Sequence, residues 1–398
     1  MKRLAGWVGA KGAGKALARL DTPLAPLLVV AAAAAAFVFG MLRANAFDAS
    51  WFVTAGDRHC DAALVPRGLT VRRGSDGFDG QFYYRLALDP FTSQPAGHGI
   101  TLDVPALRHQ RILYPLLARA LSLGNPRLLP WAMIAVNFAA LGLLGWLGGL
   151  FAQSLQRHAL WGVFPAIYPG SLLTLTRDLV ELTEVALIVG SLLLVRRGRH
   201  GVATLVLVLA LLAKETALLV AVGAALVYAA DRVRGREARV KWYYFALPLA
   251  VFLSWQALLF YNWGEVPVFA GRVNLGTPFK GFAGFLAYAA EYRTPLQRRA
   301  LPELIYLVAF AAAVVYCLRS TLAAAHEIIT WLLYGALALL LSRAVWVEDW
   351  SFLRAVTEFC VLGALLLVGA ASRVRLPVFA CSLLFWLFVF LRLLRHGD

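Results

Sequence analysis

An all-α protein that crosses a membrane many times is predicted by three features of this chain. Apolar runs of a length suited to spanning recur from Leu24 to the C-terminal end, 61% of the 398 residues are hydrophobic, and only 15% are charged. A spanning helix needs about 20 mainly apolar residues because the hydrocarbon core is about 30 Å thick. With a mean hydropathy of +0.70 the chain has too little polar surface for water to be its main solvent.

The formal charge of +16 does not point to nucleic acid. The basic residues gather in short links between apolar runs: Arg196, Arg197 and Arg199; Arg232, Arg234, Arg236, Arg239 and Lys241; Arg373 and Arg375. That is the positive-inside distribution of a membrane protein, so the expected partner is the membrane and not a polynucleotide. Cys60, Cys317, Cys360 and Cys381 have neither CxxC nor metal-ligand spacing, which argues against disulfides and zinc.

In chain order, residues 1–23 form a basic arm carrying Lys2, Arg3, Lys11, Lys15 and Arg19, expected in the cytoplasm. Gly9 to Lys15 match the GxxxxGK part of a P-loop, but Ala16 replaces the Ser or Thr that would hold magnesium and no strand precedes it. The first span runs from Leu24 to Leu42. Ala44-Asn45-Ala46 after it mimics a signal-peptide cleavage site, yet so long an uncharged run reads as a retained anchor. Later spans are expected near 127–151, 159–175, 180–195, 201–213, 216–230, 242–261, 300–318, 327–345, 353–371 and 376–394, about eleven in all within a single transmembrane domain covering 1–398. Alternation then places the basic links at 196–200, 231–241 and 372–375 on the cytoplasmic side, an agreement not used in choosing the spans. Residues 43–111 become a large first extracytoplasmic loop, followed by an interfacial helix to about 123, and residues 262–299 become a second such loop. Gly145 and Gly149 form a GxxxG spacing suited to close helix packing.

Ionisable residues at the edges of apolar spans are costly and call for a reason. Arg177, Asp178, Glu181 and Glu184 interrupt one apolar region, Lys214 and Glu215 another, and Glu348, Asp349, Arg354 and Glu358 a third. By alternation all three breaks face the side of the large loop. Internal salt bridging is the plain explanation, since Arg177 with Glu181 and Arg354 with Glu358 are both i,i+4 pairs on helices. An outer mouth of acids and bases equally suits a substrate with a lipid tail and a charged head, because phosphate needs Arg or Lys nearby.

The first loop holds GSDGFDGQFYYRLALDP from Gly74 to Pro90 and RHQRILYPLLARAL from Arg108 to Leu121. Asp79 lies between Phe78 and Gly80, just ahead of Gln81, Phe82, Tyr83 and Tyr84. A carboxylate there suits proton removal from an attacking hydroxyl, with aromatics to stack on a sugar ring. A local Asx turn explains the same aspartate equally well.

The segments FDGQFYYRLALDP and RHQRILYPLL resemble the first external loop of the GT-C superfamily of polyprenyl-phosphate-sugar-dependent glycosyltransferases. The likeness is to bacterial proteins of cell-surface glycopolymer formation and, more distantly, to the GPI mannosyltransferase II family. RDLVELTEVAL from Arg177, LLAKETALL from Leu211 and SFLRAVTEF from Ser351 resemble their external helix starts. The resemblance covers most of the chain by layout and these segments by residue. It implies a multi-pass protein of the inner (plasma) membrane with its active site on the periplasmic or extracellular side. Asp79 would be the general base. Arg108 and Arg111, three apart on one helical face, would contact the donor phosphate, with Lys214, Arg354, Gln81, Tyr83, Tyr84, Arg177, Glu181 and Glu358 completing the substrate site. The donor would be a polyprenyl-phosphate sugar and the acceptor a cell-envelope glycan or lipid. GT-C loops often carry a second acid, for which Asp48, Asp57, Asp76, Asp89 and Asp103 compete. Some members use a divalent metal, but no compact ligand spacing here calls for one, so no cofactor and no metal ligand are expected. A transporter or flippase of lipid-linked glycans is the alternative; it would show midplane charges and paired broken helices in two related halves, neither of which the sequence displays. A scaffold subunit of a cell-envelope complex is a third class.

Overall fold

The computed structural model describes residues 18–291, 293–347, 349–371 and 373–396. The Gly9 to Lys15 motif and Glu348 therefore lie outside the described residues. The described chain is almost wholly helical. Its helices are α1 (Leu24–Ala44), α2 (Gly80–Leu88), α3 (Pro105–Gln110), α4 (Leu113–Ser122), α5 (Leu129–Ser154), α6 (Val163–Ala166), α7 (Pro169–Thr176), α8 (Glu181–Arg196), α9 (His200–Ala213), α10 (Leu218–Val233), α11 (Tyr243–Trp263), α12 (Pro267–Ala270), α13 (Lys280–Glu291), α14 (Pro295–Cys317), α15 (Ala325–Leu340), α16 (Arg343–Val347), α17 (Asp349–Ala355), α18 (Thr357–Gly369) and α19 (Arg375–His396).

Among the described residues six helical stretches are long and apolar enough to cross a membrane: Leu24–Ala44, Leu129–Ser154, Glu215–Val233, Tyr243–Trp263, Ala300–Cys317 and Arg375–Arg395. A seventh is the pair α6 and α7 with the turn before it, Ala159–Ala166 and Pro169–Thr176, bent by 61°. Pro169 opens the second half of that pair; its ring fixes φ and removes a donor, which suits the first turn of a new helix better than the middle of an old one. The remaining apolar segments, α8, α9, α15 and α18, are helical but only 16, 14, 16 and 13 residues long, below the roughly 20 of a full hydrocarbon crossing. Lipid as the solvent is visible in the packing. Leu28, Phe39, Leu205, Leu226, Leu253 and Leu384 all lie exposed on helix flanks, an apolar surface that water would not favour at such density.

Helix α5 is the most enclosed of the long helices and packs against α1, α4 and α8. The glycine spacing explains the closest of these contacts: a methyl on Gly149 would fall 2.8 Å from Pro26, and one on Gly162 would fall 2.1 Å from the Gly149 nitrogen. Backbones meet there because no side chain intervenes, the usual way helices associate in lipid.

The bundle has two unlike ends. At one, Ala159 donates to Asp21 (2.7 Å), Arg157 donates to the Ala370 carbonyl (3.1 Å) and Arg196 donates to Glu327 (2.6 Å). At the other lies the first loop, folded as a cap with its own apolar core of Val53, Cys60, Phe82, Tyr83, Ile100 and Tyr114, continued by Met133 and Val136 of α5. Two short ladders stiffen it: parallel β1 (Ala55–Gly56) with β2 (Val71–Arg72), and antiparallel β3 (Ala96–Gly97) with β4 (Ile100–Thr101).

The second loop contains α12 and α13, and Phe285 of α13 packs with Trp346 and Phe352 (5.6 and 4.9 Å between ring centroids). The expected interfacial helix over 106–123 is two helices, broken at Arg111 and Ile112. Pro115 explains the break: its ring would clash with the Arg111 carbonyl in a continuous helix, and in the first turn of α4 its missing N–H costs nothing. All four cysteines are free.

Candidate functional site

The cap meets the bundle where α7, α9 and α17 end and α8, α10 and α18 begin, so six helix termini surround one polar cluster. Asp79 enters it from the cap. It immediately precedes α2, yet its side chain makes no cap hydrogen bond to that helix, so the local turn chemistry that competes for an aspartate in this context does not hold it. Gly80 sets the approach. A Cβ there would lie 2.4 Å from the Arg177 carbonyl oxygen and 2.8 Å from that of Val53, so only glycine lets this turn press against the break between α7 and α8.

Three guanidinium groups face the Asp79 carboxylate. Arg108 Nη1 is 3.0 Å from Oδ1, Arg354 Nη1 is 2.9 Å from Oδ2, and Arg111 Nη1 is 4.0 Å from Oδ2. Burial alone would raise the Asp79 carboxyl, but Arg108, Arg354 and Arg111 outweigh it and hold it well below the usual carboxylate range. Each arginine also has an acid of its own behind it. Asp103 accepts from Arg108 Nε and Nη2 (2.8 and 2.7 Å), Glu215 accepts from Arg111 Nε and Nη2 (3.0 and 2.6 Å), and Glu181 lies 3.6 Å from Arg354 Nε. Arg111 also donates to the Tyr83 hydroxyl (3.2 Å), and the Arg108 guanidinium stacks over Phe82 at 4.6 Å.

Deeper in the bundle the balance reverses. Lys214 Nζ faces Glu358 at 2.5 Å, Glu184 at 3.4 Å and Glu181 at 3.8 Å. Thr216 donates to Glu184 (2.6 Å). Glu181 touches both Arg354 and Lys214 and so joins the two halves.

Asp79, Arg108, Arg111, Tyr83, Lys214, Arg354, Glu181 and Glu358 therefore meet in one network. Gln81 and Tyr84 do not join it. Gln81 accepts from the Gly56 N–H (3.0 Å) and the Cys60 thiol (3.2 Å) and donates to the Asp76 carbonyl (2.8 Å), and Tyr84 donates to the Pro126 carbonyl (3.1 Å). Both hold the cap together. Arg177 stands beside the network with its guanidinium over Phe78 (4.3 Å) and Trp350 (5.3 Å).

The expected i,i+4 pairs are replaced by longer-range ones. The chain leaves the helix at Arg177 and re-enters at Glu181, with Asp178 in the left-handed region at φ 48°, and it breaks again between Ala355 and Thr357. Four-residue spacing no longer stacks the side chains, so Arg354 turns to Asp79 and Glu181, and Glu358 to Lys214. Arg108 and Arg111 likewise converge without sharing a continuous helix, because α3 ends at Gln110.

Of the five acids competing for a second role in the first loop, Asp103 alone touches the network among the described residues. Asp48 caps the turn at Ser50 (2.9 Å), Asp57 accepts from the Gly74 and Ser75 N–H groups, Asp76 pairs with Arg58 (2.6 Å) and Asp89 lies 3.7 Å from Arg85. Glu215 is the main residue not singled out from sequence as a site residue. Its only signal there is adjacency to Lys214 in a break between apolar runs. Among the described residues no three His, Cys, Asp or Glu side chains are placed to share a metal ion. No family model matches the chain, and no curated protein sequence matches it.

Proposed function

We propose that the protein is an integral membrane glycosyltransferase that moves a sugar from a polyprenyl-phosphate donor to a cell-envelope glycan or lipid acceptor. The reaction takes place at the extracytoplasmic face of the inner membrane, and the eleven apolar segments act as its spans. The short helices α8, α9 and α18 stop at the polar cluster because the cap completes the outer part of the layer there. The observation that carries the reading is the convergence of Arg108, Arg111 and Arg354 on one carboxylate beneath the cap.

Guanidinium forks match phosphate oxygens in charge and geometry. In the reaction the acceptor oxygen bonds to the anomeric carbon while its proton passes to Asp79. The bond from that carbon to the phosphate oxygen breaks on the opposite face, and its electron pair leaves with the polyprenyl phosphate, so configuration inverts. Arginines already in position stabilise the charge that grows on the leaving phosphate.

The test is reconstitution with a panel of polyprenyl-phosphate sugars. Transfer by wild type should fall about 10²- to 10⁴-fold in Asp79→Asn, the usual contribution of a general base, and Arg111→Ala should weaken use of the donor. Transfer surviving at a near-normal rate in Asp79→Asn removes that residue as base. Movement of a lipid-linked glycan across the bilayer without any transfer would instead favour the transporter alternative.

A further inference from the structure

The arrangement of acids around the three arginines carries a consequence for how the site is loaded. Arg108, Arg111 and Arg354 each keep a separate carboxylate, Asp103, Glu215 and Glu181 respectively, on the side away from Asp79. Among the described residues Asp79 is the single acid that all three share. Remove its carboxylate from the centre and each guanidinium is still paired and still aimed at the same point. Among the described residues no further partner holds its carboxylate, which forms no cap bond with α2, and its side chain keeps 18% of its surface exposed.

We propose that the Asp79 carboxylate is an internal occupant of the phosphate seat, and that the donor phosphate must displace it before it is free to act on an acceptor hydroxyl. This rests on the reading of the site as one for a lipid phosphate. A carboxylate with both oxygens held by guanidinium groups has little tendency to take a proton. A phosphate that takes over those groups releases it. Donor binding thus switches on the base, and an acceptor that arrives first meets an inert aspartate. The order is donor, then acceptor, which also prevents an activated acid from directing water at the donor before the acceptor is in place.

The same exchange predicts an unusual pairing of effects. A residue that touches substrate normally weakens binding when removed, whereas removing an internal competitor strengthens it. If the seat is free for only a small fraction of the time, apparent affinity is reduced by that fraction.

The experiment measures binding of a polyprenyl monophosphate and, separately, of inorganic phosphate to detergent-purified wild type, Asp79→Asn, Asp79→Ser and Arg108→Ala. Both Asp79 variants should bind the lipid phosphate at least about tenfold tighter than wild type while failing to transfer sugar, and Arg108→Ala should bind it more weakly. Tightening shared by inorganic phosphate would assign the seat to the phosphate group alone, and tightening confined to the lipid would show that the tail is needed to reach it. Asp79 variants that bind the lipid phosphate no better than wild type overturn the exchange while leaving the phosphate site intact. Absence of lipid-phosphate binding in every form overturns the functional reading itself. Two different Asp79 substitutions guard against one of them failing to fold.

Discussion

The two halves of the buried network are near mirror images in charge. Beneath the cap, three cations surround one acid: Arg108, Arg111 and Arg354 about Asp79. Deeper in the bundle, three acids surround one cation: Glu181, Glu184 and Glu358 about Lys214. They also differ in access. The Asp79 and Arg354 side chains are 18% and 22% exposed, whereas those of Glu184 and Glu358 are at 0% and 1%. The first half is open to solvent at its centre; the second is closed off. The difference suits the outer half to the ligand exchange we propose, and the inner half to holding helix ends in register.

Substitutions should separate the halves by the kind of loss they cause. The largest effect is expected in the inner half. Lys214→Met leaves Glu184 and Glu358 buried without their counter-ion, while Glu181 keeps Arg354, and should cost about 3–5 kcal/mol of stability, read as a lower unfolding temperature in detergent. A variant as stable as wild type would mean the inner half is not structural. Next is Arg354→Gln in the outer half, where loss of a charge-assisted contact of about 1.5–3 kcal/mol should weaken use of the lipid donor roughly 10- to 100-fold. Stability should change less than in Lys214→Met, because Arg354 is partly exposed. Smallest is Tyr84→Phe, which loses one hydrogen bond to the Pro126 carbonyl and should cost about 0.5–1.5 kcal/mol of stability with donor use unchanged. A donor defect in Tyr84→Phe would bring that residue back into the site.

The helical membrane class was legible in the sequence because spanning length and low charge are local properties of a run. The extent of each helix was less so. Segments 180–195 and 353–371 read as ordinary spans, but the helices there cover Glu181–Arg196 and Thr357–Gly369, and Glu181 and Glu358 at their starts pair with Lys214 from a distant part of the chain. Helix α2 inside the first loop was also hidden, since it is only nine residues long and nearly every one of its side chains is buried.

At the site, Asp79, Arg108 and Lys214 could be picked out because charge beside apolar residues is conspicuous. Their pairing could not. Glu215 reaches Arg111 across 104 positions, and no local pattern marks a partner that far away. Gln81 and Tyr84 sit in the same conspicuous segment as Asp79 but face the cap interior, because successive residues of a helix point in different directions.

The most direct test of the central claim is a structure of the protein with a polyprenyl monophosphate bound. The account predicts the phosphate within hydrogen-bonding reach of Arg108, Arg111 and Arg354, with the Asp79 carboxylate turned out of their centre. Phosphate bound at the opposite end of the bundle, beside Arg157 and Arg196, with Asp79 still held by its three arginines, would contradict it.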